Sequence, residues 1–436
     1  MNLRDQFESF QKKSNLVAPW NQVRRNGFNY FEKAGLPSKK LEDWKYTSLQ
    51  GLQHEQLLPP LVRTPMATGD LHEKLSGYLS KSFFNLVFVN GELSARLSDL
   101  DVLNRKYWRI SSLGELLEQR TMNVVKTIRQ RRKKSPQLRQ DSMEALNSGF
   151  ARDGIVIDVP AESSLEKPLQ ILFYNEQAGA FYPKVLICVG ERAKLALVES
   201  HVSHGAQHLT SAVSEIVVKD SASLEYVHLQ DEAQDVTSIA RTRIFLDANA
   251  NLECLSYAVG AKVARHNLDI HCLGQGATAK SYGLTMANGD QHIDHMTLIE
   301  HVVGNCVTEQ LYKSVVDDRS AAIFRGGVYI HQGADKASSE QLNHNLILSA
   351  KAEVDSIPQL DIYADDVKAT HGSTVGQLNA DEIFYLQSRA ITRGKAIEML
   401  SLGFVNDLVD RMSDLEVRSW LRSHLLRVYQ EKRGQG

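Results

Sequence analysis

The chain has 436 residues, 42% of them hydrophobic and 23% charged, with a formal net charge of -2. That length exceeds one ordinary core and predicts two or three structural units, with ample apolar material to bury. The near-neutral balance gives no field that would gather nucleic acid or an anionic membrane, no apolar run reaches the ~18 residues of a bilayer span, and Met1 to Asp5 opens on a polar helix rather than an apolar signal segment.

Leu3, Phe7 and Phe10 recur at helical spacing and Phe28 to Ala34 continue in that style, so residues 1 to about 50 read as helical, broken at Gly35-Leu36-Pro37-Ser38. A polar linker with Pro59, Pro60 and Pro65 follows. Phe83 to Val89, ending at Asn90-Gly91, predicts a strand and a tight turn. Leu113 to Asn147 returns to helical texture, with Leu116, Leu117, Val124 and Ile128 expected to be buried. The basic cluster Arg129, Arg131, Arg132, Lys133 and Lys134 reads as a solvated helix face rather than a phosphate site. Residues 1–150 are therefore expected to form a mostly helical N-terminal unit.

From about 153 the texture changes to short alternating strands. Six segments share one design: an alternating strand, a small or polar turn, an alanine, then a second alternating strand. The alanines are Ala193, Ala222, Ala250, Ala277, Ala321 and Ala352, spaced 29, 28, 27, 44 and 31 residues apart, and the long gap implies an insertion near 287–310. A near-constant period of two strands is the signature of a solenoid, because one such unit cannot bury its own apolar face and must share a core with its neighbours. Residues 151–379 thus predict a mainly β fold, a parallel β-helix; a large β-sandwich is the alternative, since it also places strands every 8–12 residues.

Residues 380–436 read as a C-terminal helical unit. Thr392 is an expected N-cap for a helix whose apolar stripe is Ile397, Leu400, Phe404 and Leu408; Asp414 caps a second helix that buries Val417, Leu421, Leu425 and Val428. Such helices after a solenoid serve either as a cap or as a docking face.

Common catalytic templates are missing: there is no G-x-x-x-x-G-K-[ST] loop and no H-E-x-x-H helix. Gly274-Gln275-Gly276 lacks the third glycine of a dinucleotide fingerprint, and His371 to Gly376 places Thr374 where a serine-hydrolase elbow needs its nucleophile. Cys188, Cys254, Cys272 and Cys306 are far apart, which argues against a disulfide framework and a self-contained zinc site, and suits a reducing cytoplasm. Twelve of the fifteen histidines lie between His201 and His371. The densest group puts His292 and Asp294 on one strand face and His295, Thr297 and His301 on the other, as a metal set or a hydrogen-bonded ladder. Asp361, Asp365 and Asp366 precede His371 near the end of the solenoid, where an end strand needs blunting charge or a partner chain.

Several stretches are similar to the SufB/SufD family of iron–sulfur cluster assembly proteins: LEDWKYTSL at 41–49, the Asp294 to His301 pattern, QLYK at 310–313, and the segments 345–378 and 383–391. Within the family the chain resembles the SufD branch more than the SufB branch. The resemblance implies a right-handed parallel β-helix between helical terminal regions, and a non-catalytic cytoplasmic scaffold subunit of a SufBCD complex. It implies pairing with SufB near the end of the β-helix, with Asp365, Asp366 and His371 at the interface, and leaves a homodimer of the isolated chain as an open alternative. It also implies docking of the SufC ATPase on the C-terminal helices, at Ile397, Leu400, Phe404 and Leu408. The cofactors implied are a transient iron–sulfur cluster and a reduced flavin, both belonging to the whole complex, with none held tightly by the isolated chain. His371 matches the family's interface histidine, which is either a cluster ligand or iron-entry group, or a structural residue hydrogen-bonding across the dimer. Many SufD relatives carry cysteine two residues earlier, where this chain has Ala369, so most ligands would come from SufB.

Two other readings stand beside it. A polysaccharide-active β-helix enzyme needs paired acids in a groove, and Asp365-Asp366, adjacent on a strand, would face opposite ways. A homo-oligomeric adaptor that binds only an ATPase is the third.

Overall fold

The computed structural model describes residues 3–13, 18–60, 68–105, 109–113, 123–152 and 154–433; the expected buried positions Leu116 and Leu117, and Pro65 of the linker, lie outside the described residues. From Ile155 the chain passes back and forth between two sheets in about eight turns. The first sheet contains Leu169–Asn175, Lys194–Ser203, Ser223–Asp231, Asn251–Ala258, Thr278–Ala287, Val307–Val316, Ala337–Ile347 and Val367–Gly376. The second contains Ile155–Val159, Lys184–Val189, His208–Val218, Thr237–Leu246, Val263–Cys272, His292–His301, Ala321–Ile330 and Glu353–Ile362. All ladders between these coils are parallel, which is the predicted solenoid; a sandwich built from hairpins would show antiparallel pairs.

The expected insertion near 287–310 does not exist. Lys194, Ser223, Asn251, Thr278, Val307, Ser338 and Lys368 stack in one continuous register, so each coil is 27–31 residues long. The residues just before them at the corner are Ala193, Ala222, Ala250, Ala277, Cys306 and Ala337; Ala321 and Ala352 stand at the opposite corner, entering the second sheet. Cysteine replaces alanine at one corner, and counting alanines alone therefore slips half a coil. A left-handed residue precedes each of these corners, namely Arg192, Ser221, Asn249, Gly276, Asn305 and Lys336, with φ between 54° and 74°. That conformation turns the chain sharply, and the next side chain points into the stack, where only a small one fits.

One apolar core, including Ile187, Leu224, Ile244, Leu252, Ile270 and Val328, lies between the sheets. Helices cover both outer faces, which is why strands such as Lys184–Val189 are buried at every position instead of alternating. On the second sheet lie the N-terminal helices Leu3–Lys13, Ala18–Ala34, Asn123–Arg132 and Ser142–Phe150, with Phe7, Phe10, Phe28, Val124, Ile128 and Phe150 buried. The basic cluster is not simply a solvated face. Arg131 pairs with Asp247 at 2.6 Å, and Arg132 with Glu215 and Glu144 at 2.9 and 3.1 Å, tying that helix to the sheet; Arg129, Lys133 and Lys134 are exposed.

The N-terminal region is more than helical. Its strand Phe84–Val89, followed by Asn90-Gly91 at φ 49° and 77°, extends the first sheet in parallel and is closed by the antiparallel Glu92–Leu93. Arg109–Ser112 closes the second sheet in the same antiparallel way. Both sheets are thereby blunted at their first coil. The C-terminal helices Arg393–Asp410 and Leu415–Arg433 lie on the outer face of the first sheet, capped by Thr392 and Asp414 as expected. Val417, Leu421, Leu425 and Val428 are buried there. Among the described residues no helix is long and apolar enough to cross a membrane.

Candidate functional site

Among the described residues no strand closes the sheets at the far end of the solenoid. Glu353–Ile362 and Val367–Gly376 are the terminal strands of the two sheets; the first is half-buried to exposed along its length and the second is mostly exposed. Asp365 and Asp366 sit in the turn between them, and both are exposed. His371 lies in register with Gln341 of the preceding coil. It shares a strand face with Ser373, whose hydroxyl bonds Ser356 of the opposite sheet at 2.8 Å, so both point toward the space between the sheets. That space is covered in every earlier coil and uncovered here, which leaves His371 exposed. Ala369, two residues earlier, packs against the core. Around the same end Ile362, Tyr363 and Val375 are exposed, as are Phe384 and Tyr385 of the helix Ala380–Ser388. Unpaired strand edges beside exposed apolar and aromatic side chains are the makings of a chain–chain interface.

The expected docking stripe is only partly available. Leu408 is fully buried in the chain's own core against the first sheet, a correction to its place in that stripe. The inward face of this helix is carried instead by Ala396, Ser401, Val405, Leu408 and Val409. Ile397, Leu400 and Phe404 are half-buried, and Met399 is exposed beside them.

The dense group at 292–301 forms one unbroken strand, and its two faces do different work. On the outer face Asp294 receives Arg265 at 2.8 Å and the Thr47 hydroxyl, and His292 meets Thr47 at 3.0 Å. Glu300, also outward, lies between His271 at 2.5 Å and His331 at 2.7 Å. On the inner face Thr297 donates to Gln310 at 2.7 Å and His301 meets Thr308 at 3.0 Å. These are hydrogen-bonded ladders across coils. Cys272 faces the core, away from His271, and all four cysteines are free and buried.

The part of the interior left by the apolar core is polar, and rings stack along it. Phe173, His201, His228 and His266 follow one another at centroid separations of 5.1, 5.2 and 4.0 Å; His295, Tyr312 and Phe324 continue the series at 6.4, 5.7 and 4.5 Å. Burial pushes His228 down to about 3 and His295 down to about 4, so these imidazoles are neutral near pH 7. The Glu199 carboxylate accepts from Ser214 at 2.8 Å and Tyr226 at 2.9 Å and lies 3.0 Å from His201 Nε2. Burial works against its charge, and His201, His228 and Ser214 together outweigh it, holding its pKa below the ordinary value. Sequence reading passed over Glu199, His201 and His228. Two signals point to them: i, i+2 spacing puts Glu199 and His201 on one face, and one coil of 29 residues carries Glu199 onto His228.

A family model described as the SUF system FeS cluster assembly SufBD core domain matches residues 172–404, and one described as the SufBD protein N-terminal region matches residues 3–171. Iron–sulfur cluster assembly protein SufD of Escherichia coli (strain K12) is 30% identical over 399 residues, covering 88% of this chain and 86% of that protein. An iron–sulfur cluster assembly SufBD family protein of Synechocystis is 28% identical, covering 89% of this chain and 86% of its own length. The chloroplastic protein ABCI7 of Arabidopsis thaliana is 26% identical, with 93% and 86% covered.

Proposed function

Because the chain belongs to the SufBD family of iron–sulfur cluster assembly proteins, we propose that it is the SufD-like scaffold subunit of a SufBCD complex. It pairs with SufB through its last coil and docks a SufC ATPase on the C-terminal helices. The observation that carries this reading is the open coil, where two unpaired sheet edges, Asp365, Asp366 and His371 stand exposed together. A SufB strand added to those edges would satisfy their backbone groups, and the exposed Tyr363, Val375 and Phe384 supply apolar area for the contact.

His371 is the group that would meet the transient cluster, or iron on its way to it. An imidazole suits a ligand that must bind and release a ferrous ion, and Ala369 leaves the thiolate ligands to SufB. The cluster is the complex's product and the reduced flavin belongs to the complex as a whole; neither is resident in this chain. For the ATPase, the available face is Ile397, Met399, Leu400 and Phe404.

The test is co-expression with SufB and SufC, sizing of the complex, and anaerobic reconstitution with iron and sulfide. His371→Ala should leave the complex assembled while lowering cluster yield several-fold, and unchanged yield overturns the ligand role. Failure of the wild-type chain to co-purify with SufB overturns the scaffold reading.

A further inference from the structure

We propose that Glu199, His201 and His228 form a binding site for one divalent first-row transition-metal ion, enclosed inside the solenoid and distinct from the open coil. One donor atom from each of the three lies within 4.8 Å of the others. All three side chains are sealed from solvent, with relative exposures of 1%, 1% and 3%. The fold holds them there: Glu199 and His201 alternate on one strand, and His228 stacks one coil along, in register with Glu199.

The arrangement is unfinished as a hydrogen-bond network. His201 Nδ1 and His228 Nε2 are buried without a partner. Interiors pair their buried polar atoms; His201 already turns Nε2 to Glu199, and the unpartnered Nε2 of His228, one coil along, calls for an occupant that accepts its lone pair. Ser214 and Tyr226, which bond Glu199, would serve as the outer groups that orient it.

The donor set selects the class of metal. Two imidazoles and one carboxylate suit zinc, ferrous iron or cobalt; calcium and magnesium prefer oxygen alone, and cuprous copper prefers thiolate. Donors around a tetrahedral zinc stand about 3.3 Å apart, a spacing that Glu199 and His201 Nε2, 3.0 Å apart, already approach. A fourth position is left for water.

The experiment uses the full chain stripped of metal by a chelator. It is then exposed anaerobically to Co(II), both in the folded state and during refolding from denaturant, and desalted. About one equivalent should be retained, with a visible d–d absorption band and a raised Tm. Retention well below one equivalent by both routes overturns the site. His228→Gln and Glu199→Gln should each weaken binding at least tenfold while His371→Ala leaves it unchanged. Binding that survives the first two, or is lost in the third, places the metal elsewhere and overturns the inference. Should the interior variants not fold, X-ray absorption of the zinc-loaded wild-type chain decides: two imidazole shells support the site, and none refutes it. The readout needs no partner subunit, so a negative result here leaves the SufB pairing test standing, and the reverse holds as well.

Discussion

Ala250 shows most directly how this fold constrains single residues. It follows Asn249 at φ 54°, is fully buried, and packs against the corners of the coils on either side. Ala250→Leu adds three carbons to a stack that repeats every coil, and overpacking of this kind ordinarily costs about 1–3 kcal/mol. Chemical denaturation should show a loss in that range or larger, with the denaturant dependence unchanged; a loss under about 0.5 kcal/mol would mean the corner has slack. Cys306 holds the same corner one coil beyond Ala277, and its thiol bonds the Gly274 carbonyl at 3.4 Å. A small thiol can replace a methyl there because the requirement is volume rather than residue type. The rule was readable in the alanines, but the residue that broke the alanine series could be recognised only once the register was known.

At the scale of elements, ionic and acidic contacts decide how helices seat on sheets. Arg243, fully buried, grips Glu144 of the helix Ser142–Phe150 with two bonds of 2.8 and 2.7 Å. Burial alone would raise Glu144, yet Arg243 and Arg132 hold its carboxyl far below the ordinary range. Arg243→Met removes the closer of two arginine partners and leaves Glu144 buried with Arg132 alone at 3.1 Å, a change expected to destabilise by about 3 kcal/mol in equilibrium unfolding. The double variant Arg243→Met with Glu144→Leu should recover much of that loss, and no recovery would refute the pairing argument. On the opposite face, Glu225 accepts the Asp414 amide at 2.8 Å and neighbours Glu253, which takes Ser413. Burial first, then the Glu253 charge, pushes Glu225 up to about 7 from an ordinary 4.5. A raised folded-state pKa favours the protonated form, so its stabilisation is present below about 4.5 and is lost as pH rises through about 7. Over that window the chain should lose up to about 3 kcal/mol from this group. Glu225→Gln should flatten the difference in unfolding free energy between about pH 5 and about pH 8; an unaltered profile would rule Glu225 out as its source.

For the molecule as a whole, the asymmetry of the two ends matters most. The first coils are closed by the antiparallel Glu92–Leu93 and Arg109–Ser112, whereas the last coil keeps both edges open with Tyr363 and Val375 exposed. A solenoid end left uncapped is a site of association. The isolated chain should therefore self-associate reversibly, and Val375→Asp should shift sedimentation toward the monomer. A wild-type chain that stays monomeric at all accessible concentrations would count against the open coil as an interface.

The sequence alone determined the periodic part of this protein. Strand alternation and a period near 28 residues specified parallel coils, and helical spacing specified the flanking helices with Thr392 and Asp414 as caps. Local periodicity carries that information because each coil repeats the same burial problem. Only the tertiary structure decided which faces meet. It turned the helix after Thr392 so that Leu408 is buried and Ile397 and Leu400 are half out, drew Arg131 and Arg132 into ion pairs, and set His228 upon Glu199. Those outcomes depend on contacts between residues tens to hundreds of positions apart, which no local pattern encodes.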